Sequence, residues 1–360
     1  MSYLFSEKSL LKTRMKQNKN NTSSKKVSAL VTGGAGFIGS HVAERLVNDG
    51  VKVVVLDDLS GGYAENVPKE AIFIRGSILD NSLIESLFEF YRFDYVYHLA
   101  AYAAEGLSHF IKRFNYTNNV IGSVNLINAA VNFKVKTFVF TSSIAVYGSG
   151  ASPLVETMIP VPEDSYGIAK LAIEAELRVS AEIFGLDYVV FRPHNVYGER
   201  QNIGDRYRNV VGIFMNQILT KAPLTIFGDG EQERAFTSID DVAPIIADSV
   251  NFPEARNEIF NVGADVPFTV NTLAKVVGKA MGGKKPEIEY LDPRNEVKVA
   301  FSDHSKVARV FGEREKTSLE DGIGKMAKWV KKNGARTSPV FKEIEILRNL
   351  PPSWAKAAAL

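Results

Sequence analysis

The 360-residue sequence contains no cysteine. Disulfide bonds, thiolate nucleophiles and thiolate metal ligands are therefore excluded, although the redox compartment is left undetermined. The five histidines are scattered without the short spacing of a zinc site, so no metal is predicted. No apolar run reaches the roughly 18 residues of a membrane-spanning helix, and no membrane contact is expected. A net charge of +2 gives no indication of a nucleic-acid partner.

The composition is that of an ordinary globular protein, which we predict to be cytoplasmic. Hydrophobic residues make up 45% of the chain and charged residues 23%. Residues 1–26 carry seven lysines and arginines against one glutamate, without the apolar segment of a secretory signal. They predict a basic, flexible arm, with an organelle-targeting sequence as the alternative. Residues 341–360 are predicted to be a C-terminal tail, and its end, residues 355–360, resembles a vector-derived sequence.

A glycine-rich turn lies between the first apolar run and the first amphipathic segment. Residues 27–31 are apolar, Gly33, Gly36 and Gly39 follow, and residues 40–48 have a helical pattern. The order strand, glycine turn, helix is the context that a dinucleotide-binding turn requires. Gly33 allows the tight turn, Gly36 lets a pyrophosphate approach the backbone, and Gly39 lets helix and strand pack closely. The helix N-terminus then offers N–H groups to the phosphates.

A second apolar run, residues 51–56, ends in Asp57 and Asp58, about 20 residues beyond the glycines. An acidic residue at this place can accept hydrogen bonds from the adenosine ribose hydroxyls, which favours NAD over NADP. The alternative is a structural turn followed by a surface carboxylate.

Apolar runs and helical segments alternate from residue 27 to residue 192. The alternation predicts an α/β fold with a doubly wound parallel sheet of the Rossmann type. In such sheets ligands bind beyond the C-terminal ends of the strands, where the polar residues of this sequence lie. The apolar runs are residues 29–32, 51–56, 71–75, 95–99, 137–141 and 187–191, and the helical segments lie near residues 40–48, 82–91, 118–132 and 166–184.

The pattern becomes irregular after residue 192, with short strands and turns rich in glycine and aspartate. We predict that residues 27–192 form the NAD-binding domain and that residues 193–340 form mainly a smaller C-terminal α/β substrate-binding lobe. No polar linker separates the two, so the lobe is expected to be interleaved with the first domain and to close a cleft against the nucleotide.

A second informative motif combines Ser143, at the end of a predicted strand, with Tyr166 and Lys170. Tyr and Lys at positions i and i+4 share one face of a helix, so the ammonium lies near the phenol. A neighbouring positive charge favours the phenolate, which makes Tyr166 a candidate base. Taken alone, this pair is common on helix surfaces; its place downstream of a dinucleotide turn and a serine-bearing strand end is what favours a catalytic role.

Together these motifs resemble the extended short-chain dehydrogenase/reductase family, and within it the NAD-dependent nucleotide-sugar epimerases and dehydratases, including the UDP-glucose/galactose 4-epimerases. The resemblance extends from residue 27 to residue 329. It implies that Ser143, Tyr166 and Lys170 are the catalytic trio and that NAD stays bound. The cofactor-binding residues that it implies are Gly33, Gly36, Phe37, Ile38, Gly39, Asp57, Ser77, Ile78, Leu99, Ala100, Ala101, Asn119, Tyr166, Lys170 and Pro193.

The resemblance also implies a set of residues for the nucleotide sugar. Asn195, Arg234 and Arg294 are expected near the diphosphate, and Phe227 beside the uracil ring. Two arginine side chains suit the bidentate recognition of a diphosphate. The full predicted substrate set is Ser143, Asn195, Val210, Phe227, Arg234 and Arg294.

The residues after Ser143 bear on the reaction type. The 4,6-dehydratases of the family have Asp-Glu there for proton transfer at C5 and loss of the C6 hydroxyl, whereas this chain has Ile144 and Ala145. We therefore predict C4 epimerisation of a UDP-hexose through a transient 4-keto sugar, with Tyr166 as the base. Ala300 is a small residue near the position that the family uses to limit the sugar pocket, which leaves N-acetyl sugars open.

Several alternatives stay open at the level of sequence. The charged loop with Glu105, His109, Lys112 and Arg113 would contact a hydroxyl or carboxylate of the sugar, which leaves a uronate open, or would simply face solvent. His194 can serve as a further acid/base group or as a hydrogen-bonding histidine in the core. A net keto-sugar reductase or dehydrogenase and a non-catalytic dinucleotide-binding regulator are the rival functions. The helices near residues 118–132 and 166–184 have apolar outer positions, and a homodimer is predicted from the resemblance.

Overall fold

The structure, a computed structural model, describes residues 26–205, 207, 209–283, 286–293, 298–338, 341–351 and 354. The predicted basic arm up to residue 25, Arg294 and the vector-like residues 355–360 lie outside the described residues. Within these ranges no helix combines the length and the hydrophobicity needed to cross a membrane.

The first half of the chain alternates strands and helices, as the sequence pattern predicts. A π-helical segment, Thr117–Ile121, leads into the fifth helix, and Ala64–Asn66 and Ile144–Tyr147 are 3₁₀ turns. The elements are β1 (Ser28–Thr32), α1 (Phe37–Asn48), β2 (Lys52–Asp57), β3 (Ile72–Arg75), α2 (Asn81–Tyr91), β4 (Tyr95–His98), α3 (Glu105–Ser108), α4 (Lys112–Tyr116), α5 (Gly122–Asn132), β5 (Thr137–Thr141), α6 (Ser165–Phe184) and β6 (Asp187–Pro193).

The second half contains shorter strands and most of a separate lobe. Two 3₁₀ turns, Ser249–Asn251 and Pro253–Ala255, lead into its fifth strand. The elements are β7 (Val196–Tyr197), α7 (Val210–Leu219), β8 (Leu224–Phe227), β9 (Glu233–Ala235), β10 (Thr237–Ser238), α8 (Ile239–Asp248), β11 (Glu258–Val262), β12 (Pro267–Thr269), α9 (Val270–Gly282), β13 (Ile288–Leu291), β14 (Val299–Ala300), α10 (Ser305–Phe311) and α11 (Leu319–Asn333).

The central sheet has seven parallel strands in the order β11-β6-β5-β4-β1-β2-β3. Consecutive strands run outward from β1 on one side and from β4 on the other, so the order reverses between these two strands. That reversal is the switch point at which doubly wound sheets bind ligands. The predicted Rossmann fold is confirmed. Its seventh strand, β11, was not among the predicted strands, because its five residues follow an irregular stretch without a preceding alternation.

Both faces of the sheet are buried, which explains why its strands are continuous apolar runs. Alternate residues of β1 point to opposite sides: Ala29 and Val31 pack under α1, α8 and α10, whereas Leu30 packs under α2, α5 and α6. Phe260 of β11 lies opposite Phe191 of β6 and joins the first of these cores.

The lobe formed by elements after β6 has a hydrophobic core of its own. Two small sheets, β12-β9-β14 and β13-β8, pack with α7, α9 and α11. Phe214, Leu273 and Ile323 are fully buried between the three helices. The lobe therefore holds β8 and β9, which carry the predicted residues Phe227 and Arg234, on a packed base of its own.

Candidate active site

A cavity of about 1410 Å³ lies at the C-terminal ends of the sheet strands, between the sheet and the lobe. Its lining includes the glycine turn after β1, the strand ends of β2, β4 and β5, the start of α6, and residues of β8 and β9. One cavity thus brings together most of the predicted cofactor residues and the predicted substrate residues that the structure describes.

The glycine turn has no room for side chains. Gly33 has φ +70°, and a Cβ on it would lie 2.7 Å from the backbone nitrogen of Ala100. A Cβ on Gly39 would overlap the carbonyl oxygen of Gly33. The helix α1 begins directly after this turn, at Phe37, and its positive end faces the cavity. These features fit a bound dinucleotide pyrophosphate, which needs close approach to the backbone at a helix N-terminus.

Asp57 ends β2 at the edge of the same cavity. Its carboxylate accepts hydrogen bonds from the backbone N–H groups of Ala35 (3.0 Å) and Leu59 (2.8 Å). Burial raises the pKa of Asp57, while these backbone hydrogen bonds act in the opposite direction. The carboxylate is therefore fixed in place, with acceptor capacity left for the hydroxyl groups of a ribose.

Most of the predicted cofactor residues line the cavity, and two do not. Ser77 and Asn119 lie outside its lining. The Asn119 side chain accepts a hydrogen bond from Tyr102 N (2.8 Å) and donates to Tyr102 O (3.1 Å), so it fixes the loop after β4 instead. The residues that line the cavity are Gly33, Gly36, Phe37, Ile38, Gly39, Asp57, Ile78, Leu99, Ala100, Ala101, Tyr166, Lys170 and Pro193.

His98, at the end of β4, ties the switch point together. Its Nδ1 lies 2.7 Å from Thr32 Oγ1 and its Nε2 lies 2.8 Å from Ser123 Oγ. Ser123 already donates its hydroxyl proton to Asn119 O, so it accepts from the Nε2–H of His98, and Nδ1 accepts from Thr32. Complete burial, aided by the positive charge of Lys170, lowers the pKa of His98 to about 3, so the ring is neutral.

Lys170 and Tyr166 lie on one face of α6, as predicted. Lys170 Nζ donates a hydrogen bond to Thr141 O (2.7 Å) and lies 4.7 Å from the centroid of the Phe140 ring and 5.7 Å from that of Tyr166. Burial lowers the pKa of Lys170 to about 7, against the opposing effect of the Glu174 carboxylate. The carbonyl, the carboxylate and the ring faces are thus what keeps a buried ammonium next to the phenol.

The start of α6 fixes the position of Tyr166. The carboxylate of Asp164 accepts from Gly167 N (2.8 Å) and so caps the helix. The N–H of Tyr166 donates to Ser108 Oγ (3.1 Å), a residue of the short helix α3. Ser143 acts similarly at the end of β5, where its hydroxyl accepts from Ala145 N (3.1 Å). All three members of the predicted catalytic trio line the cavity.

A buried ion pair beneath the trio was missed by the sequence analysis. Arg192 and Glu174 are 2% and 4% exposed, and the guanidinium holds the carboxylate through Nε (2.9 Å) and Nη2. Ser142, the neighbour of Ser143, donates a hydrogen bond to Glu174 Oε1 (2.5 Å). The Arg192 guanidinium lies 4.6 Å from the centroid of the Tyr147 ring. The spacing Tyr166, Lys170, Glu174 on one helix face was a signal that could have found it.

The predicted substrate residues that follow β6 and are described by the structure lie on the opposite wall of the cavity. Asn195 follows β6 with φ +43°, a conformation that asparagine tolerates better than most residues. Arg234 Nη1 donates to Glu233 O (2.8 Å) and to Lys298 O (3.2 Å). Asn195, Val210, Phe227 and Arg234 all line the cavity, as does Ala300, which pairs with Arg234 across β14 and β9.

His194 belongs to a buried chain of hydrogen bonds next to Asn195. Its Nδ1 faces Ala235 O (3.2 Å), so Nδ1 carries the proton and donates. Burial, reinforced by His304, lowers the pKa of His194 to about 3, and its neutral Nε2 accepts from His304 Nε2 (3.1 Å). His304 Nδ1 in turn faces the carboxylate of Asp265 (2.5 Å), whose pKa is lowered by this hydrogen bond. His304 thus links His194 to the carboxylate of Asp265.

Solved structures of several nucleotide-sugar epimerases are similar to this chain. A UDP-glucose 4-epimerase from Thermotoga maritima with UDP-glucose is 37% identical, has a TM-score of 0.81, and covers 85% of this chain and 99% of its own. A UDP-N-acetylglucosamine 4-epimerase from Methanobrevibacter ruminantium M1 is 31% identical, with a TM-score of 0.80 and coverage of 86% and 100%. A UDP-glucuronic acid 4-epimerase from Bacillus cereus, in complex with UDP-glucuronic acid and NAD, is 30% identical, with a TM-score of 0.77 and coverage of 85% and 100%.

The same assignment follows from the sequence itself. Residues 29–263 match the NAD dependent epimerase/dehydratase family, a range that includes the glycine turn, Asp57 and the complete trio. The predicted family and the predicted NAD cofactor are confirmed. The chain is therefore a member of the NAD-dependent epimerase/dehydratase family of enzymes.

Proposed function

We propose that the protein is an NAD-dependent 4-epimerase of a UDP-hexose, acting on UDP-glucose and UDP-galactose or on their N-acetyl forms. The observation that carries the proposal is that Ser143, Tyr166 and Lys170 face one cavity together with the glycine turn and the basic side chain of Arg234. The similar UDP-sugar 4-epimerases support the same reaction.

The side chains of the trio suffice for reversible oxidation of a secondary alcohol. Tyr166 takes the proton of the sugar C4 hydroxyl on its phenol oxygen and later returns it. Ser143 donates a hydrogen bond to the same substrate oxygen, and Lys170 provides positive charge beside the phenolate. The glycine turn and Asp57 would hold NAD, which would supply the hydride acceptor at C4 and the hydride donor to the opposite face of the 4-keto sugar. Positioning of these groups within one cavity lowers the barrier by proximity.

The neighbours of Ser143 disfavour loss of water from the sugar. Ile144 and Ala145 line the cavity at the place where a dehydratase of this family carries its acidic pair. Neither side chain can donate or accept a proton, so these two positions offer no acid to assist the departure of the C6 hydroxyl. The bare trio supports a change of configuration at C4.

The charges around the sugar end favour a neutral hexose over a uronate. Among the described lining residues, Glu105, Glu163, Asp164 and Asp205 are acidic, and a substrate carboxylate would be repelled there. Ala300 supplies a small side chain to the same cavity, which supports room for an N-acetyl group.

The test is incubation of the purified protein with UDP-glucose, UDP-galactose, their N-acetyl forms and UDP-glucuronate, with the C4 configuration followed by NMR. Interconversion without net change in absorbance at 340 nm is expected. Tyr166→Phe should lower kcat by about 10²–10⁴-fold with cofactor still bound, whereas Tyr290→Phe, at an exposed position of the lobe, should leave kcat unchanged. Steady consumption of NADH would instead identify a net reductase.

We also propose a homodimer formed through the outer faces of the π-helical segment and α6. Ile121, Ile168, Ile183 and Phe184 are between 44% and 66% exposed, although they are large apolar side chains. Large apolar side chains that are exposed on the surface in this way are typical of a protein–protein interface. Sedimentation should give a dimer for the wild type and a monomer for Ile183→Glu; a monomeric wild type would contradict the proposal. The cytoplasmic location stays a prediction.

A further inference from the structure

The C-terminal strap, which we define as residues 341–351 and 354, lies on the loop that borders the substrate end of the cavity. Phe341 packs against Tyr102 (ring centroids 5.4 Å apart) and edge-to-face against Phe114 (4.8 Å). Ile344 and Leu350 join the same cluster, which also buries Leu107. The predicted C-terminal tail thus contributes to the wall around the active site.

One side chain anchors the middle of the strap. The Glu345 carboxylate accepts hydrogen bonds from Arg113 N and Phe114 N, both at 2.8 Å. In the opposite direction, the backbone N–H groups of Glu345 and Ile346 donate to Phe110 O at 2.9 and 3.1 Å. Two pairs of hydrogen bonds therefore hold the strap in a single register on the loop.

The strap ends at the cavity with Trp354, which is 7% exposed and belongs to the lining. Its indole lies edge-to-face with Tyr207 (5.2 Å) and Phe110 (6.0 Å). It also packs on Gly106, where a Cβ would lie 3.5 Å from the indole Cη2, an ordinary van der Waals distance. The indole therefore lies close to the backbone of α3.

The same short helix connects Trp354 to the catalytic centre. Gly106 and Ser108 both belong to α3, and Ser108 Oγ accepts from the backbone N–H of Tyr166 (3.1 Å). Glu105 and His109, on either side, line the cavity as well. The helix α3 thus contacts the indole through Gly106 and the backbone of Tyr166 through Ser108, and Glu105 and His109 beside it are polar groups suited to sugar hydroxyls.

We propose that Trp354 is a specificity-determining residue that forms the aromatic wall of the sugar subsite. This inference rests on the proposed function, because it assigns the sugar to the α3 end of the cavity. An indole provides a flat apolar surface for the C–H face of a hexose, while the N–H edge and the neighbouring carboxylate and imidazole take the hydroxyls. The wall also limits the size of the sugar substituents.

The first test uses the fact that the chain has only two tryptophans. Trp329 packs at the margin of the lobe core and is not a lining residue, so Trp329→Phe leaves Trp354 as the only indole. Saturating UDP-glucose should shift the emission of this variant and reduce its quenching by acrylamide, and UMP should do so less. Unchanged emission and quenching with UDP-glucose would overturn the proposal.

The second test is kinetic and includes a control on the strap itself. Trp354→Ala should raise KM for UDP-glucose about tenfold and shift the kcat/KM ratio toward the N-acetylated sugar, because the wall is gone. Trp354→Phe should retain most of the affinity. Glu345→Gln, which loosens the anchor, should raise KM less, and Leu347→Ala, at a 73% exposed position, should change nothing.

The outcomes separate this proposal from the proposed function. Wild-type kinetics in Trp354→Ala, alongside an inactive Tyr166→Phe, would overturn the role of Trp354 and leave the epimerase intact. A wild-type protein that interconverts no UDP-sugar would overturn the proposed function, and the emission of Trp354 with UDP-glucose would then decide on the wall by itself.

Discussion

The two walls of the active-site cavity are built on different principles. The dinucleotide wall is made of short consecutive pieces, each at the end of a sheet strand, and its closest approaches are between backbones, as at Gly33 and Ala100. The proposed sugar wall is assembled from residues far apart in the chain, such as Phe110, Tyr207 and Trp354, and its contacts are between side chains. Substitution should therefore be costly and local on the first wall, but graded and substrate-dependent on the second.

The largest effect is expected below the dinucleotide wall, at the buried ion pair. Glu174→Gln leaves the Arg192 guanidinium at 2% exposure without its counter-charge, which should lower the free energy of unfolding by about 3–5 kcal/mol. Removal of the carboxylate also lowers the pKa of Lys170 further, so activity at neutral pH should fall with stability. Urea unfolding and kcat at pH 7 provide the measurements.

Glu182→Gln is the matched control on the same helix. Glu182 pairs with Arg178 at 2.9 Å, but both side chains are about 60% exposed, so the change should be about 0.5 kcal/mol or less. Equal losses at positions 174 and 182 would contradict the difference in burial on which the comparison rests.

The second effect concerns the glycine turn. Gly39→Ala puts a Cβ onto the Gly33 carbonyl oxygen, and the backbone of the turn cannot yield as a flexible side chain would. We expect a loss of about 1–3 kcal/mol in stability, together with loss of co-purifying NAD. Gly324→Ala, in α11 where a Cβ meets no atom within 4 Å, should instead stabilise the protein slightly. NAD content by absorbance and thermal unfolding test the pair.

The third prediction is a pH dependence of stability from His98. Its pKa is about 3 when folded and about 6.5 when unfolded, so between these values only the unfolded chain takes up the proton. Stability is therefore present above pH 6.5 and is lost as the pH falls toward 3, by at most about 1.4 kcal/mol per pH unit. His98→Asn should lose less stability than the wild type over this range, whereas His109→Asn should follow the wild-type slope.

The smallest of these effects should come from the hydrogen-bond chain behind Asn195. Asp265→Asn weakens the hydrogen bond to His304, but the Asp265 side chain is 57% exposed and its pairing is partly screened. A loss of about 1 kcal/mol in the free energy of unfolding is expected, with a higher KM for the nucleotide sugar, because this chain of hydrogen bonds holds the backbone next to Asn195 and Arg234. Urea unfolding and steady-state kinetics provide the measurements, and an unchanged KM would contradict the role of the chain.

The contrast between the walls also explains what sequence reasoning could reach. Six of the seven sheet strands, the glycine turn and the Tyr166–Lys170 spacing are local patterns with a fixed period, so each could be predicted from a short window. The strand β11, the Glu174–Arg192 pair and Trp354 depend on which distant segments meet. The strap did carry a local signal, because the predicted C-terminal tail contains the large apolar residues Phe341, Ile344, Leu350 and Trp354.

The seventh strand has a consequence for how the molecule can move. After building part of the lobe, the chain returns to insert β11 beside β6 and then leaves again for β12. Several covalent crossings and a shared sheet edge oppose any opening of the two halves about a single hinge. Separate expression of residues 27–192 should give a protein with an unpaired strand edge on β6 that tends to aggregate.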